Sequence, residues 1–424
     1  MKKEIVVLFE KIDLQGISIG KYHKKNVLTY GVLPGEEAKI LVKRERKNFI
    51  EGELIEIIKP SKFRIKEKES HYLSCSPWQT FNYDYQINLK KEILKKIFLE
   101  LAGVEIELEN FFASPKIFEY RNKIEYSFLK EGEKLYYSFY KRGSFKEKIK
   151  LENGCLLIDR NANKIAFELL IDLENKNIKD LKTLIIRKSQ NYPDIHFSLL
   201  TTNEGQSFNF EHKDLSGFAF IYSRKESPAS VFDKIINEWG KEYLREKVLD
   251  LEIKYHYSSF FQNNIYLFEK ALKIMRENSE SFKKVVDLYC GVGIIGLSLK
   301  KFGKEIIGVE TDKMATKYAE INAKLNNVEN FKIITSLAEK IPKEILENTD
   351  LLILDPPRVG LHKKLINLIL ATKPKNIFYL SCNPNTQARD FNLLKDSYQI
   401  KKIYGFDFYP NTPHLESLLI LKLK

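Results

Sequence analysis

A chain of 424 residues exceeds the ~150 of a typical domain and predicts two or three of them, which excludes a single small module. With 43% hydrophobic and 30% charged residues and only 19 glycines and 13 prolines, the composition suits packed globular domains and excludes collagenous or disordered chains. The net charge of +13 favours a polyanionic partner, RNA or DNA first, although a Lys-, Ile- and Asn-rich composition can equally reflect biased genomic base usage.

The opening MKKEIVVLFEKID holds an apolar run of only five residues before Glu10, too short for a signal peptide. No later stretch approaches the ~18 apolar residues of a membrane span, so neither export nor a membrane partner is expected. Residues 4–65 alternate short strand-like runs with turns: EIVVLFEKI, a turn region from Gly16 to Gly20, NVLTYGVLPGE, and EAKILVKRERKNFIEGELIEII, closed by Pro60 and Ser61. This pattern predicts a small β-barrel over residues 1–65. Its 14 Lys and Arg against 9 Asp and Glu, a net of +5, make it a candidate RNA-contacting surface. The bland alternative is a solvated β-domain whose lysines keep edge strands from pairing.

From about 84 to 102, YQINLKKEILKKIFLEL spaces Ile, Leu and Phe as a helix does. Strand-like runs follow between 115 and 222 (IEYSFLK, LYYSFY, TLIIRKS, HFSLLTT, FAFIYS), so an α+β central domain is expected over 66–255. Residues 256–424 alternate KKVVDLYC, EIIGVE, FKIITS, DLLILDPP, NIFYLSC and ESLLILKL with amphipathic stretches such as KMATKYAEINAKLN. That βαβ rhythm predicts an α/β, doubly wound, mostly parallel sheet covered on both faces. The four cysteines, Cys75, Cys155, Cys290 and Cys382, form no CxxC pair. Neither a disulfide framework nor a zinc ribbon is indicated, and a reduced, cytoplasmic protein is expected.

After VVDLYC, Gly291-Val-Gly293-Ile-Ile-Gly296 has GxGxxG spacing and leads into the helix-like LSLKKF. Such glycines let backbone approach a ligand, and Glu310, 19 residues after Gly291 at the end of the next strand, suits a ribose diol. Three glycines in a loop can be only a turn, but their place between strand and helix points to a nucleoside cofactor. Asp287, Glu310 and Asp355 of Asp355-Pro-Pro stand where class I S-adenosylmethionine enzymes line their ligand cleft. The alternative for Asp355 is a helix N-cap with prolines in the first turn.

FYLSCNPNT puts Cys382 where a strand delivers a side chain into the crevice at its carboxyl end. A cysteine there can be a thiolate nucleophile or simply a buried small hydrophobe; Asp355 and Asn383 nearby favour chemistry. FDFYPNTPHLESLLIL sets Glu416, after His414, at the entry to the last strand, where a carboxylate facing the same cleft can serve as a base.

DLYCGVGIIGL, GVETD, LDPPRVGL, YLSCNPNT and PHLES, in this order and spacing, resemble the RNA (uracil-5-)-methyltransferase family, enzymes that make 5-methyluridine in tRNA or 23S rRNA. The resemblance covers essentially the whole chain. The LPGE turn resembles the OB-like TRAM barrel of many members, and EYRNKIEYSF the segment opening their central RNA-binding domain. The resemblance implies a class I, Rossmann-like S-adenosylmethionine-dependent methyltransferase fold over 256–424, with RNA as partner. It implies Cys382 as nucleophile toward uracil C6 and Glu416 as the base that takes the C5 proton. It also implies Gln262 (in SSFFQNN), Tyr289, Glu310 and Asp355 as contacts to S-adenosylmethionine, with Ile294 and Ser336 at further cofactor-lining positions where the family often has Asn. Uracil C5 is a poor nucleophile until a thiolate adds at C6, which is why such a pair is needed.

One departure matters. Many members hold a four-iron cluster on four cysteines, whereas the corresponding YLSCSPWQTF and ENGCLLI retain only Cys75 and Cys155. Two thiolates cannot supply four ligands, so no iron–sulfur cluster and no metal are expected, with Trp78 and its aromatic neighbours packing that region around two buried thiols. Cys290 belongs to the glycine turn and is read as packing. A monomer is the default. Two other readings stay open: an amino-methyltransferase, whose cleft also uses D/N-P-P but needs no covalent nucleophile, and an RNA-binding or chaperone protein that keeps the fold as a scaffold.

Overall fold

The computed structural model describes residues 3–424 except 145 and 229. Strands β1 (Glu4–Ile12), β2 (Ser18–Tyr22), β3 (Lys25–Thr29), β4 (Glu37–Glu45) and β5 (Phe49–Lys59) close into a barrel in the order β1-β2-β3-β5-β4. Because side chains alternate along a strand, Ile5, Val7 and Phe9 of β1 point inward to meet Val27, Ala38, Ile40 and Ile50. Fully buried Glu36 accepts Nε and Nη2 of Arg64 at 2.6 and 2.7 Å, tying the barrel to the segment that follows. At Gly16, where φ is +81°, a Cβ would lie 2.0 Å from Cβ of Pro413, so the barrel rests directly on the C-terminal loop.

A short helix α1 (Tyr72–Cys75) leads to α2 (Tyr83–Ala102), which starts where Asn82 caps the amides of Asp84 and Tyr85 and stops at left-handed Gly103. After α2, β6 (Asn110–Phe112) is the first strand outside the barrel. The central unit comprises β7 (Lys123–Glu131), β8 (Lys134–Tyr140), β9 (Lys148–Lys150), α3 (Arg160–Asn175), β10 (Leu181–Lys188), β11 (Ile195–Thr201), β12 (Gly217–Tyr222) and β13 (Lys234–Gly240). They form one sheet, β13-β12-β11-β10-β7-β8-β9, packed with α3 around a shared core. Helix α3 falls in a stretch read from the sequence as strands and turns. Its Ile165, Ala166, Leu169, Leu170 and Leu173 recur with helical spacing and bury against the sheet, and Asp159 caps its start.

A hairpin of β14 (Tyr243–Val248) and β15 (Leu251–His256) precedes the C-terminal lobe. There follow α4 (Ile265–Glu277), β16 (Phe282–Leu288), α5 (Ile294–Ser298), β17 (Gly303–Glu310), α6 (Lys313–Leu325), β18 (Phe331–Thr335), α7 (Lys343–Leu346), β19 (Leu351–Leu354), α8 (Lys363–Thr372), β20 (Asn376–Ser381), α9 (Pro384–Leu394), β21 (Tyr398–Phe406) and β22 (Glu416–Leu423). The sheet runs β18-β17-β16-β19-β20-β22-β21-β6, with the pairings from β18 to β20 parallel and β22 antiparallel to its neighbours. This is the doubly wound α/β sheet the βαβ rhythm predicts.

The segment 66–255 does not pack as one unit. Helix α2 buries Ile93, Leu94, Ile97 and Phe98 in the same core as Leu365, Phe391 and Leu394 of α8 and α9, and β6 extends the C-terminal sheet beside β21. The hairpin β14–β15 likewise shares a core with α4 and α6. Apolar faces decide this: those elements find their burial on the C-terminal lobe. No helix among the described residues is long and apolar enough to cross a membrane.

Candidate active site

Strand order reverses between β16 and β19, which opens a crevice at the carboxyl ends of the strands. Tyr289 follows β16, Glu310 ends β17, Asp355 follows β19 and Cys382 follows β20, so all four side chains meet at this edge. They line one cavity of about 1500 Å³, to which Arg121, Lys123, Glu125 and Arg142 of the central unit also contribute. Gln262, Ile294 and Glu416 line it too.

The glycine loop is built as its spacing requires. Gly291 and Gly293 take φ of +55° and +87°, and a Cβ on Gly296 would lie 2.7 Å from the ring of Phe331, so the third glycine serves close packing of α5 on the sheet. Asp287 departs from the expectation that it lines the cleft. Fully buried, it accepts the Gly296 N–H at 2.8 Å and holds the loop; burial pushes its carboxyl up to about 8 against that hydrogen bond. Glu310 accepts the N–H groups of Gly291 at 3.0 Å, Thr311 at 2.6 Å and Asp312 at 2.9 Å, which fixes its carboxylate at the cavity edge. Ser336 is not among the residues that line the cavity. Its hydroxyl turns to the carbonyl of Leu337 at 3.2 Å, and Leu337 and Glu339 rather than Ser336 line the cavity, because the chain at the end of β18 points that side chain back onto its own backbone.

Asp355 accepts Nε2 of Gln262 at 3.0 Å, and burial pushes its carboxyl up to about 7 against that bond. Gln262 is held in turn by the Asn122 side chain, which donates to its carbonyl at 2.6 Å, while its Oε1 is buried without a partner. Burial, then the carboxyls of Glu416 and Asp355, push the Cys382 thiol up to about 12 against the opposing Arg358 cation. Glu416 is fully buried with Oε2 unpartnered; burial, then Asp355, hold its carboxyl well above the usual range, again against Arg358. The acceptors Glu310, Asp355 and Gln262 Oε1 suit a ligand with hydroxyl and cationic donors.

Sequence reading missed several lining residues. Arg358 acts on both Cys382 and Glu416 and stands in the quoted LDPPRVGL, three positions after Asp355; Arg121 stands in EYRNKIEYSF. His414, whose imidazole burial and then Arg358 drive down to about 3, stands neutral two residues before Glu416. The signal for Arg358 was its place after the prolines, where a loop re-enters the crevice. Away from the strand ends, Cys75 is half-buried rather than buried, and the structure brings it and Cys155 together with Glu69 and His71. Trp78 is buried as expected and stacks on Phe81 at 5.4 Å.

A family model described as tRNA (Uracil-5-)-methyltransferase matches residues 230–424. An RNA methyltransferase of Caldanaerobacter subterraneus is 32% identical over 99% of this chain and 99% of its own length. A tRNA (uracil(54)-C(5))-methyltransferase of Pyrococcus horikoshii is 31% identical over 94% of this chain and 95% of its own. The crystal structure of Pyrococcus abyssi tRNA (uracil-54, C5)-methyltransferase in complex with S-adenosyl-L-homocysteine is similar with a TM-score of 0.78 and 26% identity, covering 98% of this chain and 100% of that one.

Proposed function

The chain belongs to the RNA (uracil-5-)-methyltransferase family, whose members use S-adenosylmethionine to methylate uracil C5 in RNA, and on that premise we propose that Cys382 and Glu416 carry the reaction as nucleophile and base. One observation supports this most: a strand-end thiol and a fully buried carboxyl with an unpartnered oxygen line the same cavity, under one arginine. The Cys382 thiolate adds to uracil C6, and the electrons of the C5–C6 bond move to C5 and O4 as an enolate. Held in the cavity, S-adenosylmethionine would supply that carbon with an electrophilic methyl group, its sulfur leaving as the neutral thioether of S-adenosylhomocysteine. Glu416 then takes the C5 proton, the C5–C6 double bond reforms, and Sγ leaves C6 as thiolate. Arg358 favours the ionised forms of both residues, which burial opposes.

Gln262, Tyr289, Ile294, Glu310 and Asp355 are assigned to the cofactor, with Asp355 and the free Oε1 of Gln262 facing its cationic end and Glu310 its ribose. Calorimetry should show S-adenosylmethionine binding that Asp355→Ala weakens by about 10–100-fold, the worth of a hydrogen bond to a charged group. Undiminished binding would remove Asp355 from the cofactor site.

A thiol raised to about 12 is almost wholly protonated at neutral pH, and its thiolate fraction grows as pH rises toward that value. The kcat/KM should therefore climb with pH across the neutral range. Arg358→Ala removes the cation that opposes the shift, so its profile should lie at higher pH with lower activity at pH 7, and Arg358→Lys should restore part of it. Superimposable profiles for wild type and Arg358→Ala would contradict the electrostatic role.

The RNA is a tRNA or 23S rRNA; the Pyrococcus relatives named for U54 of tRNA make a tRNA loop the first substrate to test. The target base must leave its stack to reach Cys382, and Phe260 and Val359, 65% and 72% exposed on residues that line the cavity, offer it apolar contact. The barrel contributes phosphate contacts: Lys21, Lys24, Arg46 and Lys47 are exposed and have no acidic partner among the described residues. Replacing all four with Gln should lower the slope of log affinity against log salt by about 0.7–0.9 per lost phosphate contact and leave cofactor binding intact. An unchanged slope would exclude them from the interface.

A further inference from the structure

We infer that Glu69, His71, Cys75 and Cys155 bind a single divalent metal ion, zinc by ligand type, which staples the segment after the barrel to the central unit. Their ligand atoms all lie within 4.8 Å of one another. Tetrahedral zinc, with bonds of about 2.0–2.3 Å, sets its ligands about 3.3–3.8 Å apart, so a movement of an ångström or less would close the site. Two thiolates, one imidazole and one carboxylate are a zinc donor set. The four-iron cluster of many family members does not fit it. That cluster takes four thiolates, and its cube of iron and sulfide is wider than one ion and holds its ligands farther apart than this group allows.

The surroundings are built to hold these side chains. His71 is 4% exposed, and its Nε2 reaches no hydrogen-bond partner although it lies 3.2 Å from Glu69 Oε1. Glu69 is oriented by the Leu156 N–H at 2.6 Å and Gln79 Nε2 at 3.0 Å, and Gln79 is fixed by the amides of Lys68 and Glu69 at 2.6 and 3.1 Å. The Cys155 backbone is pinned through its N–H to the Tyr126 hydroxyl at 3.0 Å and through its carbonyl to Asn163 Nδ2 at 2.9 Å. Outer partners of this kind hold metal ligands in place. Cys75 and Cys155 stand on segments far apart in the chain, so an ion joining them would fix the wall on which Ser74 and Arg142 face the cavity; Arg142 donates to the Leu73 carbonyl at 2.9 Å.

The test uses full-length protein, reduced, stripped with a chelator and titrated with Co²⁺ and then Zn²⁺. One Co²⁺ per chain should bind with thiolate-to-cobalt charge-transfer absorption and strong tetrahedral ligand-field bands, and one Zn²⁺ should bleach them. Cys75→Ser and His71→Ala should each weaken binding by at least about tenfold. Metal analysis of the protein as purified should find zinc near one per chain. A wild-type protein that gives no cobalt bands, that carries iron with sulfide, or that holds Cys75 and Cys155 as a disulfide would overturn the inference. The wild-type spectrum needs no variant to fold, and because it reads metal and not methyl transfer, its failure leaves the methyltransferase reading standing.

Discussion

Cys382→Ala should reduce methylation to background and form no adduct, whereas Glu416→Gln should accumulate as a protein–RNA complex that survives denaturing electrophoresis. The two fail differently because they act at different steps. Without the thiol the ring is never activated. Without the carboxylate the thioether still forms and C5 still accepts a methyl, but the C5 proton has no acceptor, so Sγ cannot leave C6; turnover should fall by about 10²–10⁴-fold. The trapped RNA should carry the methyl group. A Glu416→Gln protein that turns over normally, or a Cys382→Ala protein that retains activity, would return the amino-methyltransferase reading to first place.

Lys90→Met should destabilise the protein by about 3–5 kcal/mol, read as a shift of the urea midpoint, and Lys90→Met with Asp407→Leu should recover most of that loss. Lys90 and Asp407 are both fully buried and form an ion pair, α2 to the stretch after β21. Removing one partner strands the other charge in the core, whereas removing both leaves an apolar contact. The pair also holds the site: Lys90 Nζ donates to the carbonyl of cavity-lining Tyr409 at 3.2 Å, and Gln86 one turn earlier bonds Asn411 through both its amide nitrogen and oxygen, each at 3.0 Å. Methylation should therefore drop in Lys90→Met even at temperatures where the protein stays folded. A stable, fully active single variant would show that this pair supports neither the core nor the loop that carries His414 and Glu416.

What the sequence made legible follows from where the information sits. Strand ends and the glycine loop are local: Gly291, Gly293 and Gly296 sit between a strand and a helix, and Glu310, Asp355 and Cys382 each close an apolar run, so the crevice could be placed from spacing alone. The fold class followed from the same rhythm. Contacts made across the chain were hidden. Gln86 and Asn411 are 325 positions apart, and nothing in YQINLKKEILKKIF says that its apolar face covers α9 rather than the central sheet. Glu69 and His71 beside Cys75 and Cys155 were hidden likewise, because a count of cysteines overlooks a carboxylate and an imidazole brought in by the fold. The direction of the Ser336 side chain was hidden too, because a family position names a residue and not where its hydroxyl turns, and α3 was missed because its neighbours on both sides are strands.

The central claim, that this protein methylates uracil at C5, is tested most directly with tRNA transcribed from uridine tritiated at C5. With S-adenosylmethionine carrying a ¹⁴C methyl group, wild-type protein should release one tritium to water for each methyl it transfers, since the C5 hydrogen must leave for the product to form. Methyl transfer without tritium release would place the reaction on another atom and contradict the account.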